Sequence, residues 1–132
     1  MQYRPTAGEL LTDVATLLES EVLEAVSGPL QHRVRVAANL VRIVEREIRL
    51  GPAAARDEQH RISLLLHDFD ADLPTLRSAL ARRLADPEPL GGPYDRAVYD
   101  ALLATARDDI AIAKPGYAEW RQGSGSSKGA RP

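Results

Sequence analysis

Cysteine is absent from the 132 residues, which excludes a disulfide framework, a thiol nucleophile and any thiolate metal site. Aromatic residues are scarce: Tyr3, Phe69, Tyr94, Tyr99, Tyr117 and Trp120 are the whole set. The core must therefore come from Leu, Val, Ile and Ala, as it does in small helical bundles. No apolar run approaches the ~18 residues needed to span a bilayer, and the N-terminus has no signal-peptide pattern. The expectation is a cytoplasmic protein with no membrane partner. Basic charge is not in excess either. The formal net charge is −2 and the pI near 5.9, and residues 121–132 carry three of the cations, so a nucleic-acid partner is not expected. The serines outside the tail, Ser20, Ser27, Ser63 and Ser78, lie on no G-x-S-x-G elbow. Glu45 and Glu47, two apart, point in different directions on a helix and cannot share acid–base work. No catalytic residue, metal site or cofactor is assigned, and an enzyme acting alone is not expected.

What is present is helical periodicity, cut by glycine and proline. Gly28-Pro29, Gly51-Pro52, Leu73-Pro74, the 87–93 stretch and Pro115-Gly116 divide the chain. Between these marks apolar residues recur at steps of three and four, and no segment alternates with period two. The prediction is an all-α bundle of about five helices forming one domain over 1–120, with a disordered Gly/Ser-rich tail over 121–132.

Thr6 and Glu9 spell a capping box that opens the first helix, whose stripe is Leu11, Val14, Leu18, Val22 and Ala25, widened by Leu10 and Leu17. The second helix runs over 29–50 with Val34, Ala37, Val41, Val44 and Ile48 inward, and Gly51-Pro52 is expected to stop it. The short junction at Gly28-Pro29 predicts that these two long helices form an antiparallel hairpin. A third helix over 53–67 buries Ile62, Leu65 and Leu66. Asp72 caps a fourth that ends near Ala85. The fifth, over 94–113, buries Tyr99, Leu102, Leu103, Ala106 and Ile110.

Charge is shared unevenly in the predicted hairpin. The first helix holds Glu9, Asp13, Glu19, Glu21 and Glu24 and no base. The second holds Arg33, Arg35, Arg42, Arg46 and Arg49 against Glu45 and Glu47. Within the second, His32, Arg35, Asn39, Arg42 and Arg46 step by 3, 4, 3 and 4 and so share one side. Three guanidiniums beside an amide suit phosphate or carboxylate groups, including those of coenzyme A or a nucleotide. The competing expectation is that these arginines pair with carboxylates of neighbouring helices. Tyr117 and Trp120 form a second candidate binding surface, or fold back on the bundle end. Asp68, Asp70 and Asp72 resemble the start of a calcium loop, but Leu73 stands where glycine is needed and Ala79 where glutamate is, so a capped inter-helix loop is expected. His60 and His67, seven apart, lack a third ligand.

The stretches Arg4-Pro5-Thr6-Ala7-Gly8-Glu9-Leu10-Leu11, Arg33-Val34-Arg35-Val36-Ala37-Ala38-Asn39, Glu45-Arg46-Glu47-Ile48-Arg49-Leu50-Gly51-Pro52 and Ala111-Ile112-Ala113-Lys114-Pro115-Gly116-Tyr117 together resemble a small bacterial domain-of-unknown-function family. Its members are encoded beside aminoglycoside-phosphotransferase-like kinases and acyl-CoA dehydrogenases. One kind is the accessory subunit of the 4-hydroxyacyl-CoA kinase of levulinate catabolism. The resemblance implies a non-catalytic accessory subunit whose kinase partner carries the ATP site. It supplies no catalytic residues to transfer. The resemblance leads one to expect a glycine-containing turn between the third and fourth helices, where this chain has Asp70-Ala71-Asp72. An anion-binding module and a homodimeric structural protein are the alternatives.

Overall fold

The capping box forms as the sequence spells it. The Thr6 amide donates to Glu9 Oε2 at 2.7 Å, and the Glu9 amide donates to Thr6 Oγ1 at 3.2 Å. In the computed structural model, which describes residues 3–86 and 92–117, this cap opens helix α1, Ala7–Leu17. The chain then widens into a π-helical turn, Leu18–Val22, in which the Leu23 amide reaches back five residues to the Leu18 carbonyl. One further α turn, Leu23–Ala25, precedes extended backbone at Val26. A π turn takes up one extra residue and shifts the helical phase of the residues beyond it. Helix α2 is Gly28–Leu66, α3 is Leu73–Leu84 and α4 is Pro93–Ala113. The described residues contain no strand.

The count is four rather than five because Gly51-Pro52 does not stop the second helix. Helix α2 runs through Pro52 for 39 residues. Proline lacks the amide that would bond the Ile48 carbonyl, and its ring crowds the preceding residue. Glycine at 51 has no Cβ to meet that ring. A Cβ there would also lie 2.9 Å from Glu47 Oε1. The pair thus relieves its own clash, and the helix continues at the cost of one hydrogen bond.

Helix α2 ends where the sequence places the end of its third helix. His67 adopts φ 53°, and the Asp68 amide closes on the Ser63 carbonyl at 3.2 Å, the six-to-one bond of a Schellman turn. Asp68 then accepts from the amides of Asp70 and Ala71. Asp72 accepts from Thr75 at 2.9 Å and caps α3, with Pro74 in its first turn. Asp68 and Asp72, two of the three carboxylates that resemble a calcium loop, are thereby turn and cap residues of the inter-helix loop.

The chain divides into two compact units. The first is Met1–Pro52 with Ile112–Lys114, and the second is Ala53–Ala111 with the residues from Pro115 onward. The second unit has a conventional core of Ile62, Leu65, Leu76, Leu80 and Val98, with Leu66, Leu73, Tyr94 and Ala101 packed against it. Among the described residues of the first unit the buried apolar ones are Ala15, Ala38 and Ile112. Leu11, Leu18, Val22, Val34 and Val41 are half-buried, whereas Val14, Ala37, Val44 and Ile48 are exposed. The inward line of these two helices therefore passes through small alanines, one residue beside each predicted stripe.

Helix α4 is rotated from its predicted orientation. Tyr99, Leu102 and Ala106 are exposed, and Leu103 and Ile110 are half-buried. The inner line is Val98, Ala101, Thr105, Asp108 and Ile112, again at steps of three and four. Two of these are polar, and Arg61 explains why. Its Nη2 donates to Asp108 Oδ2 at 2.7 Å and to Thr105 Oγ1 at 3.2 Å. A periodicity argument sends such polar residues outward, because it cannot see a guanidinium arriving from 44 residues away.

Candidate functional site

The polar stripe of α2 begins as five side chains at helical spacing, and the structure gives its members different tasks. Arg42 makes a bidentate pair with Glu19, Nε to Oε1 at 3.1 Å and Nη2 to Oε2 at 2.8 Å, and also reaches Thr16 Oγ1 at 3.4 Å. This arrangement holds the Glu19 carboxyl below the usual carboxylate range, chiefly through the hydrogen bond from Arg42, and raises the guanidinium's own pKa. Arg46 donates from Nε to the Ile112 carbonyl at 2.6 Å. Ile112 lies in the last turn of α4, where carbonyls lack intrahelical donors and carry partial negative charge. The anionic group that Arg46 meets is therefore a helix C-terminus.

Arg35 and Asn39 lie exposed further up the same stripe, and neither makes an ion pair among the described residues. His32 is exposed one turn above Arg35. Of the three guanidiniums predicted to face an anion together, only Arg35 is uncommitted among the described residues. Tyr117 lies just past the Pro115-Gly116 stop, where Gly116 has φ 92°, and is 38% exposed. Trp120 and the tail over 121–132 lie outside the described residues.

A groove of about 430 Å³ opens at the start of α1, lined by Thr6, Gly8, Thr12, Asp13, Ile48 and Arg49 with Glu9 and Glu45. Arg49 is taken by Glu45 at 2.8 Å. Three carboxylates against one paired guanidinium make the groove unsuited to phosphate. Among the described residues no three His, Asp or Glu side chains converge as metal ligands. No described helix is long and apolar enough to cross a membrane.

Sequence reasoning misses the bridges of the second unit. Glu58, 9% exposed, receives Arg77 Nε at 2.8 Å and Nη2 as well. Arg61 is fastened to α4 through Asp108 and Thr105, with its Nε buried and unpartnered. The half-buried Tyr94 hydroxyl is likewise unpartnered, and Arg83 lies 4.4 Å from the centre of its ring. No local signal in the sequence joins residues so far apart.

The family model that matches the chain is a domain of unknown function (DUF6285), aligned over residues 24–117. The chain belongs to that family. The match takes in all of α2, α3 and α4 and begins at the last turn before α2, so the body of α1 precedes it. Three of the four stretches behind the family resemblance fall inside it, together with Arg35, Asn39, Arg42, Arg46 and Tyr117. No curated protein and no solved structure gives a significant match.

Proposed function

We propose that this DUF6285 chain is a non-catalytic accessory subunit of a phosphotransferase-like kinase acting on hydroxyacyl-CoA substrates in the cytoplasm. The observation that carries the proposal is the division of labour on the α2 stripe. Arg42 and Arg46 already fasten one helix each to α2, and Arg35 and Asn39 continue the same line into solvent without an ion-pair partner among the described residues. A stripe that captures helices by their acidic side chains and C-terminal carbonyls is suited to capture one more, from another protein. The kinase as that protein rests on the resemblance of the chain's motifs.

Antiparallel pairing of α1 with the first half of α2 belongs to this proposal. It is supported by Gln31 donating to the Leu23 and Val26 carbonyls while Arg42 reaches Thr16 and Glu19. Residue numbers rise along α2 as those of their partners fall. A free phosphate ligand fits less well, because it would have to displace Glu19 from Arg42 and the α4 terminus from Arg46.

Co-expression with a phosphotransferase-like kinase for hydroxyacyl-CoA substrates tests the proposal. The two chains should co-elute on gel filtration, and kinase activity should drop when this chain is omitted. Arg35→Glu should weaken co-elution while leaving helicity intact. A kinase fully active alone, with no co-eluting complex, would refute it.

A further inference from the structure

In the first unit, large apolar side chains remain outside. Leu10, Val14 and Leu17 of α1 and Leu40, Val44 and Ile48 of α2 are each between 45% and 55% exposed. At 100° per residue, all six lie roughly 100° to 180° round their helices from the Arg42, Thr16 and Glu19 contacts. They therefore share the edge of the helix pair opposite that bridge. The α4 terminus is held by Arg46, which is also turned well away from this edge. The result is a two-helix apolar face left open by the described residues, larger than scattered surface hydrophobes explain.

We infer that this face is covered by a second copy of the chain, packed so that α1 of each copy lies over α2 of the other. Charge selects both the occupant and the arrangement. Every charged side chain of the α1 segment is acidic, so α1 over α1 would stack like charges. The first half of α2 is net basic, so α1 over α2 opposes unlike ones. The charges left unpaired by the fold agree with this. Glu21 and Glu24 on the α1 side, and Arg33 on α2, make no ion pair among the described residues, whereas Glu19, Arg42 and Arg49 do. Size is adequate too. Two helices ~28 Å long and ~10 Å apart present about 600 Å² per copy, on the order of 1,200 Å² in total, the lower end of a standard specific interface.

A two-fold axis parallel to the helices gives this arrangement and makes every neighbouring pair antiparallel, the geometry of a four-helix bundle. It also preserves axial level between copies. Within the chain Leu23 and Val26 lie level with Gln31, and Thr16 and Glu19 with Arg42. Glu24 therefore comes level with Arg33 of the second copy near the end of the face, twice by symmetry. Asp13 comes level with Glu47, an unfavourable pair that a substitution can convert. The inference is independent of the kinase proposal, since the Arg35–Asn39 stripe lies off this face.

Sedimentation velocity on the full chain over about 1 μM to about 1 mM is the test, a range that brackets the affinity of an interface this size. The expected result is a monomer–dimer equilibrium. Val44→Glu should render the chain monomeric throughout that range with its far-ultraviolet circular dichroism unchanged. Glu24→Arg or Arg33→Glu alone should weaken the dimer about tenfold, and the double exchange should restore it, as unlike charges require. Glu47→Lys should tighten it by a smaller factor. A chain still monomeric at the top of the range overturns the inference, as does a dimer indifferent to Val44→Glu. Glu24→Arg that strengthens the dimer would mean α1 over α1, and a Val44→Glu chain that loses only kinase co-elution would give the face to the kinase. Either result also overturns it, whereas loss of kinase binding by Arg35→Glu bears on the proposed function alone.

Discussion

The two units use the same kind of residue in opposite ways. In the second, Leu76 is completely buried and Ile62, Leu65, Leu80 and Val98 close round it. In the first, alanines occupy the centre while Leu10, Val14, Leu40 and Val44 stand half in water. Small residues let helices approach closely, but they remove little apolar area from water, and burial scales with that area. The difference shows that the second unit completes its core within the chain. The helix pair of the first carries its larger hydrophobic side chains on the surface.

The largest effect should come from the complete core. Leu76→Ala should lower unfolding free energy by about 2–5 kcal/mol in urea denaturation. Val44→Ala, deleting a similar kind of side chain from the first unit, should cost well under ~1 kcal/mol in dilute solution, as exposed positions do. Equal costs would erase the contrast between the units. Next comes local helix geometry. Thr6→Ala removes half of the capping box and should cost about 1 kcal/mol in the first unit. His67→Gly should add about 1 kcal/mol to the second, because glycine accepts the positive φ that histidine adopts with strain.

The smallest effect should be that of pH. Glu19 and Asp72 both have folded pKa values below their ordinary ones, the first through Arg42 and the second through its bond from Thr75. A depressed carboxylate contributes stability that is present above its unfolded pKa of about 4 and is lost as pH falls through the folded value. Thermal unfolding midpoints should therefore be level near neutrality and decline below about pH 4. Glu19→Gln should flatten part of that decline for the first unit, and Asp72→Asn part of it for the second.

The all-α class, the Thr6–Glu9 box, the Asp72 cap and the end of the long helix near His67 were legible because each is a local signal carried by a few neighbouring residues. Gly51-Pro52 misled for the same local reason. Proline marks a lost hydrogen bond, but whether a helix ends there depends on whether its neighbour can absorb the ring, and glycine can. The orientation of α4 was hidden because the identity of its inner residues depends on Arg61, a partner distant in sequence. The spacing of Arg35, Asn39, Arg42 and Arg46 did place them on one side of α2. It could not reveal that Glu19 and the Ile112 carbonyl would claim two of the guanidiniums.

The bond from Arg46 to Ile112 also has a kinetic consequence. It closes a loop of 66 residues, and loop-closure entropy places such a contact among the last to form. An interaction absent from the folding transition state governs how fast the native protein comes apart, rather than how fast it assembles. Replacing Arg46 with leucine should therefore raise the unfolding rate and leave the refolding arm of a chevron plot nearly unmoved, making this guanidinium a determinant of the protein's lifetime.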